Sequence, residues 1–397
     1  MHILMIDGIE RDNLLPFTFT KPVSEIRFGI LTITQKWEKY LGSKAGFITQ
    51  PYLKEKYKSV TNIDRDVILI NGSICPDKAL IEAITNLNQG QSLFASDRFL
   101  AANIGKLIPI SIQETSSILQ LFEKVNYVDT FLSIENVWDI FSKNEAAINA
   151  DFDLITKGRM SHPISPTNKV IKPENIFLEQ GAIVECSILN AATGKIYVGK
   201  NAEIMEGCIV RGALALCDNS TLKLGTKIYG ATTIGVHCKV GGEINNSVIF
   251  GYSNKAHDGF LGNSVIGEWC NLGADTNNSN LKNNYGEVKI FNYTQDDYVS
   301  TGLQFCGLFM ADHSKCGINT MFNTGTVVGV SANIFGADFP PKHIASFSWG
   351  GAAGFDNFKI DKAIELAQRV YERRKILFDG VEKNIFQYLH ENKTKKQ

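Results

Sequence analysis

At 397 residues with a formal net charge of -1, the chain is long enough for two domains with substantial cores and carries no global field to attract nucleic acid or an anionic membrane. Its eight cysteines form no C-x-x-C pair, which favours reduced thiols in a cytoplasmic protein over a disulfide framework or a zinc site. No stretch reaches the roughly 18 to 20 apolar residues of a membrane span, and the opening "MHILMIDGIERDNLLPF" lacks the basic leader and cleavage site of a signal peptide.

In chain order, short β-like runs at 2 to 6, 45 to 49 and 67 to 70 alternate with helical candidates at 24 to 41 and 77 to 88. That alternation predicts an α/β, Rossmann-like domain over residues 1–160 with a partly parallel sheet. From about residue 170 the texture changes to a six-residue period. Val198, Ile204, Val210, Leu216, Leu222, Ile228, Ile234 and Val240 stand six apart, and small residues such as Ala202, Cys208, Ser220, Thr226, Thr232 and Cys238 follow four positions later. After a slip near 242 to 248 the count resumes with Phe260, Ile266 and Leu272, then with Met310, Cys316, Phe322, Val328 and Ile334. One large aliphatic and one small residue per repeat are what a parallel β-helix of hexapeptide repeats requires, here over residues 170–340. The cysteines at 208, 238 and 270 then act as compact core residues. "FPPKHIASFSWGG" at 339 to 351 breaks the coil, and helical spacing over 355–395 predicts a C-terminal α-helix that covers its end.

Polar residues gather where the repeat slips: Glu243, Asn245, Asn246, Asn254, His257 and Asp258. A neutral histidine there is able to take a proton from an attacking amine if a neighbouring group holds its other ring nitrogen, and Glu243 and Asp258 are the nearby carboxylates. Read without any family, His257 is equally a polar residue on the outside of the coil.

"KAHDGFLGNSVIGEWCNLGADTNNSN", residues 255 to 280, resembles the acetyltransferase domain of the bifunctional bacterial enzymes that make UDP-N-acetylglucosamine, the GlmU family. The pattern K-A-G-H-L-x-Y-L-G-D-A-x-I-G-x-x-x-N-I-G-A-G-T-x-x-x-N is met at His257, Leu261, Gly262, Ile266, Gly267, Asn271, Gly273, Ala274 and Asn280. The resemblance implies a left-handed coil, His257 as general base supported by Glu243, Asn271 and Asn280 on the sugar, and Ala274 and Thr324 beside acetyl-CoA. Phe260 replaces the family's tyrosine, and the basic residue expected near Asn245 is missing.

"NLLPFTFTKPVSEIRFGILT", residues 13 to 32, is similar to the phosphate-binding opening of sugar nucleotidyltransferases, with Leu14, Pro16, Thr18 and Pro22 in frame. Loop amides there cradle phosphates, and an arginine and a lysine neutralise transition-state charge. Here the loop keeps one glycine, Gly8; Asn13 and Val23 stand at the signature arginine and lysine; and Gly72-Ser73 replaces the pair that binds Mg²⁺. Arg11, Lys21 and Arg27 are the neighbouring residues expected to supply the charge with Gly8. The resemblance as a whole implies a homotrimeric sugar-phosphate transferase. Its substrates would be acetyl-CoA, an amino-sugar phosphate and a nucleoside triphosphate, with Mg²⁺ if the N-terminal site is active. Two other readings of the same residues are a nucleotidyltransferase with a purely structural coil, and a sugar-nucleotide-binding scaffold without catalysis.

Overall fold

The computed structural model describes residues 2–59, 66–106 and 112–393. The chain divides into two compact units: Met1–Leu14, Thr20–Ile26 and Leu31–Asn136 form the first, and Leu15–Phe19, Arg27–Ile30 and Val137–Gln397 the second.

The first unit holds a six-stranded mixed sheet of β1 (His2–Ile6), β2 (Ala45–Ile48), β3 (Val67–Asn71), β4 (Gln91–Ala95), β5 (Arg98–Gly105) and β6 (Glu123–Asn126) in the order β2-β1-β3-β5-β4-β6. β1 is parallel to β2 and β3, β4 is parallel to β6, and β5 runs against β3 and β4. Every residue of β3, "VILIN", is buried, as expected of a central strand covered on both faces. The helix expected over 24 to 41 begins only at Ile33, after a single tight turn at Val23–Glu25. Thr32 starts it with a capping box: its hydroxyl accepts from the Gln35 amide, and its own amide donates to the Gln35 side chain.

The second unit is a three-faced parallel β-helix. One face stacks six strands from Lys169–Ile171 to Phe260–Gly262, the second nine from Ile176–Leu178 to His343–Ile344, and the third runs from Ile183–Val184 to Ser348–Gly351 with an antiparallel end strand, Gly354–Asn357. The aliphatic column from Val198 to Val240 is buried throughout, as are the small residues at the corners and Met310, Cys316, Phe322, Val328 and Ile334. Phe260 departs from the count: it lies outward and half-buried, and Leu261 fills the core position, 1% exposed. The inward residues after Val240 are Ile244, Ile249, Lys255, Leu261 and Ile266, so two steps of five and one of four replace the sixes. A six counted back from Ile266 therefore lands on Phe260, one residue before the inward Leu261.

Two features add to the sequence reading. Helices Asp139–Ser142 and Asn144–Thr156, within the span 1–160, group by contact with the coil unit. The Asn144 amide donates to the Ala231 carbonyl and the Thr233 hydroxyl, both at 3.1 Å, and Asp151 accepts from the Ile30 amide at 2.8 Å. The segment 355–395 is a strand end followed by two helices, Ile360–Glu372 and Gly380–Asn392, rather than one. Lys375 turns the chain at a φ of 56°, and Asp379 caps the second helix by accepting from the Val381 and Glu382 amides.

An aromatic ladder docks these helices. At one corner His237, Tyr252, Trp269 and His313 all adopt positive φ, and their rings stack coil upon coil, Tyr252 on Trp269 at 4.2 Å. Tyr371 lies on the other side of Trp269 at 3.9 Å, and Phe386 meets His313 edge-on at 4.9 Å. Between Asn277–Asn278 and Leu308–Met310 the coil extrudes a hairpin, Lys289–Asn292 with Asp297–Ser300, whose Phe291 stacks on His343 at 3.6 Å.

Candidate functional site

His257 is exposed in the bend that leads from the third face of the coil to the first. The strand before it, Asn254–Lys255, places Asn254 outward and Lys255 inward, in register with Lys239 and Val240 of the coil below. Lys255 therefore stands in the aliphatic column, 1% exposed. Its Nζ donates to the carbonyls of His257 (3.0 Å), Asp258 (3.2 Å) and Gly241 (3.4 Å), and burial pushes its pKa down to about 8. The buried ammonium thus pins the bend that carries His257. The sequence reading passed over this lysine. The signal was present, because Lys255 is six residues after Ile249, but the repeat was resumed from Phe260 instead.

The other expected residues divide between two faces of the coil. Glu243 lies on the first face beside Phe260 in register, and accepts from the Tyr229 hydroxyl at 2.5 Å. Among the described residues it makes no hydrogen bond to His257, so its carboxylate is held by the tyrosine. Asn280 also belongs to this side, donating to the Asn263 side chain at 2.8 Å. A Cβ on Gly262 would come 2.5 Å from the Phe260 ring and 2.7 Å from the Asn280 amide, so a side chain is excluded where ring and amide close over the backbone. Asn271 is exposed on the third face, opposite Asn254 and Lys315. Ala274 is partly buried and accepts from the Asn319 amide, while Thr324 is 6% exposed. His257 sits at the corner between the two groups, with an exposed imidazole able to reach a ligand and the bend beneath it fixed.

In the first unit β1 and β3 are parallel and adjacent, Ile6 opposite Asn71, so the loops at their carboxyl ends meet. This is where open α/β sheets bind ligands. Arg98 organises the polar groups there: Nε donates to Glu10 (3.0 Å), Nη2 to Ser73 (2.9 Å) and Nη1 to Ser133 (2.9 Å) and Glu135 (2.5 Å). Asn71 joins the network by donating to Glu10 and accepting from Ser73. Arg98 lies 27 residues beyond the β3 loop and carried no motif, which is why sequence alone missed it.

The four residues expected to bind nucleotide phosphate are not gathered in the same way. Gly8 lies beside Glu10 and Asn71 in that network. Arg11 is buried, with its guanidinium turned to Asp12, Tyr52 and, at 3.9 Å, Asp7. Burial pushes the Asp7 carboxyl up, while Thr49 and the Val23 amide donate to it. Lys21 is 2% exposed, and Arg27 falls in the other unit, where it donates to the Ile30 carbonyl. At Gly72-Ser73 no carboxylate is offered, and the Ser73 hydroxyl is engaged by Asn71 and Arg98. Among the described residues no group of three or more His, Cys, Asp or Glu side chains converges. The residues at Gly72-Ser73 therefore do not fit a divalent cation.

Residues 3–160 match the family model described as sugar nucleotidyl transferase. A bifunctional sugar-1-phosphate nucleotidylyltransferase/acetyltransferase from Sulfurisphaera tokodaii is 27% identical over 148 residues, covering 36% of this chain and 35% of that protein. The chain thus spans about a third of the length of the curated relative it matches. Among solved structures, the polySia-specific acetyltransferase NeuO is 14% identical, with 53% of this chain and 94% of that one covered, at a TM-score of 0.26. A UDP-N-acetylglucosamine acyltransferase from Campylobacter jejuni is 14% identical (58% and 91% covered, TM-score 0.23). AntD, an N-acyltransferase from Bacillus cereus in complex with dTDP and 3-hydroxybutyryl-CoA, is 12% identical (53% and 87% covered, TM-score 0.23). TM-scores of this size give these likenesses no weight. The family match thus covers residues 3–160, and the parallel β-helix follows it in the chain.

Proposed function

We propose that this protein is a GlmU-like sugar-phosphate transferase whose β-helix transfers an acetyl group from acetyl-CoA to an amino-sugar phosphate. The observation that carries the reading is His257 itself: an exposed imidazole at a corner of the coil, on a bend anchored by a buried lysine. His257 takes the proton from the sugar nitrogen as that nitrogen attacks the thioester carbonyl, and the tetrahedral adduct then expels the coenzyme thiolate. Asn271 and Asn280 orient the sugar, with Glu243 held on the first face by Tyr229. Backbone near Ala274 faces the developing oxyanion, and Thr324 lies on the acetyl-CoA path. Phe260 in place of a tyrosine leaves the sugar's phosphate with one hydrogen bond fewer. The working unit is a cytoplasmic homotrimer with acceptor and coenzyme between neighbouring coils; among the described residues no helix is long and apolar enough to cross a membrane.

A second reading is favoured by the match of residues 3–160. The N-terminal domain transfers a nucleotidyl group from a nucleoside triphosphate to a sugar 1-phosphate, with the Arg98 network at the strand ends as the phosphate-facing group.

One set of incubations separates the readings. The full chain is mixed with glucosamine 1-phosphate, acetyl-CoA, and UTP or dTTP, and free thiol and pyrophosphate are followed separately. Thiol release that requires the amino sugar supports the coil activity, and pyrophosphate release supports the second. Pyrophosphate alone would make the coil structural, and neither product with any sugar phosphate would make the protein a binding scaffold.

A further inference from the structure

The third face of the coil and the end of helix Ile360–Glu372 enclose a cleft of about 520 Å³, within the range that holds a small-molecule ligand. Four cationic side chains line it, Lys239 and Lys315 from the coil and Arg373 and Arg374 from the helix end, and no carboxylate does. None of the four is in an ion pair among the described residues. Arg374 donates to the His237 carbonyl at 3.0 Å and Lys315 to the His313 carbonyl at 2.7 Å, so both side chains are held in place by neutral groups. Burial pushes Lys315 down to about 8, the direction expected of an ammonium removed from water without an anion beside it.

The spacing says what kind of anion fits. In register along the outer face stand Lys239, Asn254, Asn271 and Lys315, on four consecutive strands. At about 4.8 Å per strand the row is roughly 14 Å long, with lysines at its ends. A lone phosphate-sized ion would meet one end only. An elongated ligand with more than one phosphate meets both, and the edges of Tyr252 and Trp269 offer a wall for an organic group.

We propose that this cleft binds a phosphorylated ligand of the nucleoside diphosphate type, held by Lys239, Lys315, Arg373 and Arg374. Two sources share that chemistry: the nucleotide part of coenzyme A, and a free nucleotide. Ala256 lies in the cleft wall and is followed by His257. If the ligand is coenzyme A, the inference rests on the acetyl-transfer reading; if it is a free nucleotide, it stands apart from it.

The test is calorimetric titration of the full-length protein with coenzyme A, ADP and inorganic pyrophosphate at equal ionic strength. Lys239→Gln/Arg373→Gln alters two exposed side chains, and Lys315→Met removes the buried ammonium; melting temperatures check that both variants fold. Coenzyme A or ADP is expected to bind once per chain, with the dissociation constant raised at least about tenfold in each variant and unchanged in His257→Ala. Coenzyme A binding more tightly than ADP assigns the cleft to the acyl donor, and equal binding assigns it to a free nucleotide. The proposal is overturned if no probe binds at millimolar concentration, or if Lys239→Gln/Arg373→Gln leaves every affinity unchanged. Cation-dependent ADP binding in a protein that releases no thiol would sink the acetyl-transfer reading while leaving the cleft intact.

Discussion

Lys255→Met should separate stability from activity. The lysine occupies a core position 1% exposed, and methionine keeps its length while removing the charge. A fall in pKa from 10.5 to about 8 corresponds to roughly 3 kcal/mol against the buried ammonium at neutral pH. The unfolded chain holds this proton up to 10.5 and the folded chain only to about 8, so unfolding free energy rises with pH between those values and is flat below them. The substitution removes that penalty but leaves the Gly241 and His257 carbonyls without their donor, at about 1 to 3 kcal/mol each if water does not replace it. The two effects largely offset, so stability at pH 7 should change by no more than about 3 kcal/mol, and the rise between pH 8 and 10.5 should disappear. Activity has no such offset: a loosened bend misplaces His257, and a misplacement of about 1 Å lowers a rate on the order of 10²-fold. Denaturant unfolding across pH, paired with thiol release from acetyl-CoA, reads both. Unchanged thiol release would refute the positioning role, and a loss of more than about 4 kcal/mol would show that the lysine is a stabilising core residue instead.

Phe260→Tyr places a hydroxyl beside Asn280, and steady-state kinetics should show a several-fold lower KM for the amino-sugar phosphate with kcat little changed. Trp269→Ala removes the ring stacked between Tyr252 and Tyr371 and should cost about 3 to 5 kcal/mol in docking the C-terminal helices; limited proteolysis should then cut near residue 355 well before the coil. His343 is pushed down to about 4 by burial, its Nε2 has no hydrogen-bond partner among the described residues, and its ring stacks on Phe291. The stability it contributes is intact above its ordinary pKa near 6.5 and lost as pH falls through about 4, so amide exchange in the hairpin 289–300 should rise in that window, and not in His343→Phe.

The regular parts of the coil were legible because their physics is local. A corner that admits only a small side chain, with one inward aliphatic per face, leaves a six-residue trace, and the residues from Val198 to Val240 bury as that trace requires. The count failed at Phe260 because shortened strands shift the inward position by one, which no composition signal announces. That same slip hid Lys255, whose role depends on carbonyls brought to it by two different turns. Arg11 and Lys21 stand in the sequence where they can replace the missing signature charges, and their burial, 6% and 2% exposed, is set by tertiary packing that the sequence does not display. Arg98 illustrates the converse: its partners come from three separate segments, and only the sheet order brings them together. Nothing local assigns the helices at 139 to 156 to either unit, and side-chain bonds from Asn144 and Asp151 tie them to the coil unit.

The central claim is that His257 is the base of an acetyl transfer, and one comparison tests it most directly. Thiol release from acetyl-CoA in the presence of glucosamine 1-phosphate is measured for the full chain and for His257→Ala, whose exposed side chain leaves folding intact. A drop of at least about 10²-fold in kcat with an unchanged melting temperature is the predicted result. Equal rates in the two proteins would contradict the account.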